Sequence, residues 1–221
     1  MRGKTICSLI VVVIVLLSPR IIQAQGTMTF VSSLSQTSTG SASLGSDSWL
    51  AAEFITGNNI GGYTLVSIQF GMADASGNPS GFTAMVYSAT GIAGIHPGTS
   101  LGTLDGSLSP TTAGIFTYTP SVNITLLPSA DYFIVLTAGT PVAAGAYSWS
   151  ESAYPPSINL WGVGNGIQRS SNGTAPWSPT PYLGIAQFAI TATPVPEPGV
   201  LSLLGLGALG LLWHRRKAKV V

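Results

Sequence analysis

The sequence has one cysteine, Cys7, and it sits in the first ten residues. A disulfide framework and a cysteine-based metal site are therefore excluded from the rest of the chain. Charge is almost as scarce, at 7 % of residues. Between residues 25 and 194 there is no lysine, and Arg169 is the single base against Asp47, Glu53, Asp74, Asp105, Asp131 and Glu151, a net of −5. A domain with one cation has no electrostatic means of holding a phosphate backbone, so nucleic acid is excluded as a partner. Histidine is equally thin, with His96 alone in that span. One histidine and no cysteine cannot assemble the usual zinc set. No segment between the two termini keeps a 3.6-residue apolar period, which argues against amphipathic helices.

What remains is glycine, serine, threonine and proline mixed with β-branched and aromatic residues, the makeup of an exported all-β domain. The N-terminus fits export. Arg2 and Lys4 are followed by an apolar run over residues 6–17, and Ile22-Gln23-Ala24 offers a cleavage point after Ala24. Residues 1–24 read as a signal peptide, because the run is too short to span a membrane comfortably.

The body, 25–194, alternates short strand patterns with turn chemistry. Strands are expected at 27–31, 49–56, 63–70, 82–88, 101–104, 115–119, 122–127, 131–137, 146–151 and 182–191. Thr64, Val66, Ile68 and Phe70 would share one face, and the Asp74-Ala-Ser-Gly-Asn-Pro-Ser-Gly run reads as a turn, joining 63–70 and 82–88 in a meander. Residues 32–48 and 89–100 read as polar or glycine-rich loops. Residues 131–137 lack polar alternation, which places them centrally with both faces covered, and 146–151 would pair nearby. The expected fold is all-β, a single β-sandwich of jelly-roll-like type flanked by a signal peptide and a C-terminal transmembrane helix.

Chemistry has few parts to work with. His96 falls in the loop Gly94-Ile-His-Pro-Gly98 without a Gly-x-Ser-x-Gly elbow, so it reads as an exposed loop histidine. Asp47 with Glu53, or Asp131 with Glu151, are the carboxylate pairs that glycoside hydrolysis would need. Each of these acids also has a plain explanation as a turn or strand residue. Asp74-x-Ser76-x-Asn78 has calcium-loop spacing but Pro79 and Met85 where the glycine and the last acid belong, so a tight turn is expected and no metal site is assigned. No catalytic residue and no cofactor is assigned. Trp161 and Trp177, in expected loops, are candidate glycan-stacking residues if their indoles face solvent, and core caps if they do not.

The chain closes on residues 195–221. Pro196-Glu197-Pro198 forms a stiff extended triplet. Residues 199–213 follow without a charge, about 22 Å long as a helix. Arg215, Arg216, Lys217 and Lys219 then hold the cytoplasmic side. Triplet, apolar segment and basic end together resemble the PEP-CTERM sorting signal of Gram-negative bacteria. That resemblance implies recognition by an exosortase, a transient membrane anchor, and release to the cell surface or extracellular polymer. A second likeness rests on Trp49-Leu-Ala-Ala-Glu-Phe-Ile-Thr-Gly, Gly61-Gly-Tyr-Thr-Leu-Val-Ser-Ile, Pro97-Gly-Thr-Ser-Leu-Gly-Thr-Leu, Leu127-Pro-Ser-Ala-Asp-Tyr-Phe-Ile-Val-Leu and Tyr147-Ser-Trp-Ser. These segments are similar to the choice-of-anchor R domain, a bacterial surface module without established catalytic residues. The function expected is a non-catalytic exported surface or matrix protein associated with exopolysaccharide. The alternative is a carbohydrate-binding module using Trp161 and Trp177.

Overall fold

The computed structural model describes residues 26–91, 95–153, 157–158, 161–179 and 184–196. The expected signal peptide, the apolar segment 199–213 and the basic tail lie outside the described residues. No helix among the described residues is long and apolar enough to cross a membrane.

The described residues carry fifteen strands. They are β1 (Met28–Ser32), β2 (Ser38–Leu44), β3 (Trp49–Ile55), β4 (Tyr63–Gly77), β5 (Thr83–Thr90), β6 (His96–Asp105), β7 (Gly114–Pro120) and β8 (Thr125–Leu126). They continue with β9 (Asp131–Thr137), β10 (Gly145–Ser152), β11 (Ser157–Ile158), β12 (Gly162–Ser170), β13 (Ser178–Pro179), β14 (Ile185–Ala186) and β15 (Phe188–Pro194). The described residues adopt the expected all-β class.

The strands form one open sheet ordered β11-β1-β15-β4-β7-β6-β5-β9-β3-β12-β13, with β10 attached to β4 and carrying β2 and β14. The expected jelly-roll-like sandwich of separate sheets is corrected here, because β6 and β7 stitch the two halves together through Leu104↔Pro120 and Asp105↔Thr119. Both halves still feed one core. Ile68 and Phe70 of β4 and Phe188 and Ile190 of β15 share it with Leu50 and Phe54 of β3 and Ile134 and Leu136 of β9.

β9 takes the central place its unbroken apolar run predicts, between β3 and β5. Tyr132, Ile134 and Leu136 enter the main core, while Phe133 and Val135 meet Ala51, Met85 and Trp177 on the other side. Other expectations change. β5 pairs with β6 and β9 rather than with β4, so 63–70 and 82–88 form no meander. β4 runs through residues 74–77, and the chain reverses only after Gly77, whose φ is +60°. β5 and β6 extend into 89–100. Residues 122–127 shrink to the two-residue β8. β10 pairs with β2, β4 and β14, not with β9.

The one-face expectation for β4 fails at a bulge. Thr191 opposes Ser67 and Ala192 opposes Leu65, leaving Val66 as the extra residue. The buried set is consequently Tyr63 and Leu65 before the bulge and Ile68, Phe70 and Met72 after it. Thr64 and Val66 are only half-buried. β2 lies inside the expected 32–48 loop. Its first four residues are exposed hydroxyls and glycine, but Ala42 and Leu44 are buried and the whole strand is zipped to β10.

Candidate functional site

The strongest candidate is the point at which the folded body gives way to the Pro-Glu-Pro triplet. β15 ends at Pro194, paired with Tyr63 at the start of β4. One residue on, the Val195 N–H donates to the Gly62 carbonyl at 3.0 Å. The Asn59 side-chain amide donates to the Val195 carbonyl at 3.0 Å and also to the Gly62 carbonyl. Gly62 has φ +74°, and a β-carbon there would collide with the Leu126 carbonyl. Only glycine suits that corner. The loop itself is fixed by Thr56, whose hydroxyl donates to the Leu127 carbonyl at 2.6 Å, and by the Ser129 N–H on the Gly57 carbonyl at 2.8 Å. The body is thus clamped up to Val195, and Pro196 is exposed immediately after it. Glu197, Pro198, Arg215, Arg216, Lys217 and Lys219 lie outside the described residues.

The other residues singled out in sequence do not converge on a catalytic arrangement. Trp161 and Trp177 are 1 % and 5 % exposed, so neither presents an indole face to a sugar ring. This corrects the stacking expectation. Trp161 is stacked on Phe30 at 4.7 Å and on Phe54 at 5.8 Å, with Tyr63 edge-on at 4.9 Å. Trp177 covers the outer side of β9.

His96 is not a loop residue. It opens β6 opposite Thr90, is half-buried, and its Nδ1 lies 2.8 Å from the Gln168 side-chain oxygen. Gln168 in turn donates its amide to the Ile95 carbonyl at 2.7 Å, which ties the β5–β6 end to β12. An amide therefore occupies the nitrogen that a triad would give to a carboxylate.

The carboxylates are also partnered differently from the expected pairs. Asp47 accepts from the Val142 N–H and Asp74 from the Ala113 N–H, each at 2.8 Å, so both act as loop ties. Asp74 therefore lies within a strand and ties a loop instead of opening the expected tight turn. Among the described residues no three of His, Cys, Asp and Glu gather closely enough to hold a metal ion. Asp131 keeps company with Glu53, not with Glu151, and lines an open cleft of about 360 Å³ with Ser88, Thr90, Ile95, Leu127 and Tyr132.

Glu53 lies against Gly164, where any β-carbon would strike its carboxyl. Its carboxyl is held above the usual 4.5, by burial first and then by the negative charge of Asp131. Glu151 is 4 % exposed. Its Oε2 accepts from the Gly184 N–H at 3.0 Å, while Oε1 has no partner among the described residues. Burial pushes this carboxyl up as well, against the Gly184 N–H and Arg169, which pull it down. The pairing of Glu53 with Asp131 was hidden in sequence because it depends on the register of β3 with β9, which sets Ile55 opposite Asp131.

These two acids give a signed pH dependence. A carboxyl harder to ionise in the folded than in the unfolded chain makes the folded state bind more protons. Its contribution is therefore most favourable near and below the ordinary 4.5, and is lost as pH rises through the raised folded value. Glu53→Gln and Glu151→Gln are each expected to raise the melting temperature at neutral pH relative to the parent and to close that gap in acid. Thermal melts between about pH 4 and 8 check this. Parallel curves for parent and variants would show that neither carboxyl is destabilised by the fold.

Compared with curated proteins and with solved structures, the chain matches none. The clamp at Val195 instead meets a family match that begins at the same place: residues 194–217 match the PEP-CTERM protein-sorting motif, which marks the chain for export and membrane-associated sorting to the cell surface.

Proposed function

We propose that this chain is a non-catalytic exported protein that an exosortase takes from a transient membrane anchor and passes to the cell surface. The sorting-motif match over 194–217 carries the reading. The end of the folded body at Val195 supports it, because the triplet begins where the clamp stops and is presented without a spacer. Residues 1–24 act as the cleaved signal peptide. Residues 199–213 act as the anchor, and Arg215, Arg216, Lys217 and Lys219 hold its cytoplasmic side.

The body serves as an all-β scaffold akin to the choice-of-anchor R module, and the released form resides in extracellular polymer. Its outer face suits that setting. Thr27 and Thr193 lie 2.7 Å apart across β1 and β15, Thr29 and Thr191 3.1 Å apart, and Gln69 donates to Thr117 at 3.1 Å. This row of hydroxyls and amides carries no charge to repel an acidic exopolysaccharide. Carbohydrate stacking by Trp161 and Trp177 has no such support, since both are buried.

The anchor assignment is tested by changing Arg215, Arg216, Lys217 and Lys219 together to glutamine in the native host. The expected result is loss of the membrane-held precursor with the apolar segment drawn outward or the chain misrouted. An unchanged precursor, processed at the parental rate, would contradict it.

A further inference from the structure

On the side away from the core, β1, β15, β4 and β8 carry their hydroxyls in rows that the strand register sets. Thr193 lies directly opposite Thr64 of β4, and Thr64 directly opposite Thr125 of β8. The Thr27 hydroxyl completes this row from β1, 2.7 Å from that of Thr193. Directly opposed residues of antiparallel strands share a face, so these threonines stand abreast on neighbouring strands. A second row joins Thr29, Thr191 and Ser67 through the pairing of β15 with β1 and β4. Gln69 and Thr117 follow one step along, bonded side chain to side chain. The bulge at Val66 makes these rows possible. Thr64 and Ser67 are three positions apart and would point to opposite faces of a regular strand. The extra residue turns both outward, opposite Thr193 and Thr191. Such bulges commonly re-aim a side chain beside a functional site.

The margins of this face are set by Leu34 and Gln187, which lie against Gly71, by Ile115, 57 % exposed opposite Gly71, and by Asp105 opposite Thr119. Within them the rows hold hydroxyls and one amide and no charge. Strand geometry repeats the groups at about 4.8 Å across the strands and about 6.7 Å along them. Resting on the extracellular-polymer reading above, we infer that this face binds an extended polysaccharide chain. A hydroxyl both donates and accepts, and the bond between Thr27 and Thr193 leaves each of them further capacity. The array therefore matches the hydroxyls of a sugar polymer, and its row of about 14 Å accommodates a short run of rings. A phosphate polymer or an anionic lipid surface would call for cations, and none stands among these rows. A protein partner would call for an apolar centre, which the rows do not supply.

The test uses the full chain purified from host membranes in detergent. The probe is exopolysaccharide purified from the same host and immobilised as separate neutral and acidic fractions. One variant combines Thr29→Val, Thr191→Val and Thr193→Val, since valine keeps the shape and strand preference of threonine and removes the hydroxyl. A second combines Thr27→Val and Thr125→Val, both at exposed positions, which disturbs the fold least. Thr39→Val with Thr83→Val, on β2 and β5 outside this face, is the control. The expected result is saturable retention of parent and control on at least one fraction, with both face variants bound several-fold more weakly at the parental melting temperature. Retention of both face variants equal to that of the parent places the contact elsewhere and overturns this inference, while the polymer reading stands. A parent retained on neither fraction overturns this surface as well. Its presence in or absence from the extracellular matrix of host cultures then decides the polymer reading separately.

Discussion

Replacing Trp161 with alanine is expected to destabilise the body by about 3–5 kcal/mol, the range for truncating a large buried aromatic. Trp161 joins rings from strands in both halves of the sheet. Phe30 and Tyr63 belong to β1 and β4, and Phe54 belongs to β3. Among the described residues, ladder hydrogen bonds connect the halves only where β6 meets β7, at two residue pairs. A few loop hydrogen bonds, such as the Ser121 N–H on the Thr103 carbonyl, add to this, and side-chain packing across the core, with this aromatic stack in it, joins the rest. For a domain of this size the loss corresponds to roughly 6–20 °C in melting temperature. Trp161→Phe should cost much less. It keeps a ring in the stack and removes an indole N–H that has no hydrogen-bond partner among the described residues, and a buried unpaired donor is itself unfavourable. Thermal and denaturant melts of both variants decide the matter. Equal small losses would mean that the stack does not hold the halves together.

Changing Pro196, Glu197 and Pro198 together to alanine is expected to reduce the surface and released pool from the main form to a trace. The precursor should then accumulate in membranes. The argument is conformational as well as chemical. Two prolines fix their own φ and keep the residues before them extended, so the triplet leaves the clamp as a stiff strand-like peptide. Three alanines, favourable helix formers, would let the apolar segment that follows extend its helix back toward Val195. The peptide offered to the sorting enzyme would then be wound up against the body. Because Asn59 and Gly62 act upstream, the body should fold normally, with the parental melting temperature. Fractionation of host cells expressing each form gives the readout, and an unchanged released pool would remove the role assigned to the triplet.

The parts of the molecule legible in sequence are those written locally. Residues 131–137 form an unbroken apolar run, and β9 is buried on both faces as that run requires. The C-terminal signal is a linear pattern, and the family match falls on it. Long-range features were not legible. Nothing in Ser38–Ser41 announces a strand, since their side chains make no apolar face. β2 exists because β10 supplies the ladder. The bulge at Val66 follows from pairing with β15, and it moves the buried face of β4 by one residue. The burial of Trp161 and Trp177 depends on loops returning to the sheet, which spacing alone cannot reveal. The Asn59–Val195 bond joins residues 136 apart in sequence. Asparagine beside two glycines reads as turn chemistry, and its second role at the chain exit is visible only in three dimensions.

The central claim is that the chain is cut at the end of its clamped body and released. Intact mass of the protein recovered from the culture medium and from the membranes of its own host measures this directly. The account predicts a released species that begins after Ala24, ends between Pro196 and Pro198, and lacks residues 199–221. A protein found only in membranes, with residues 199–221 retained, would contradict it.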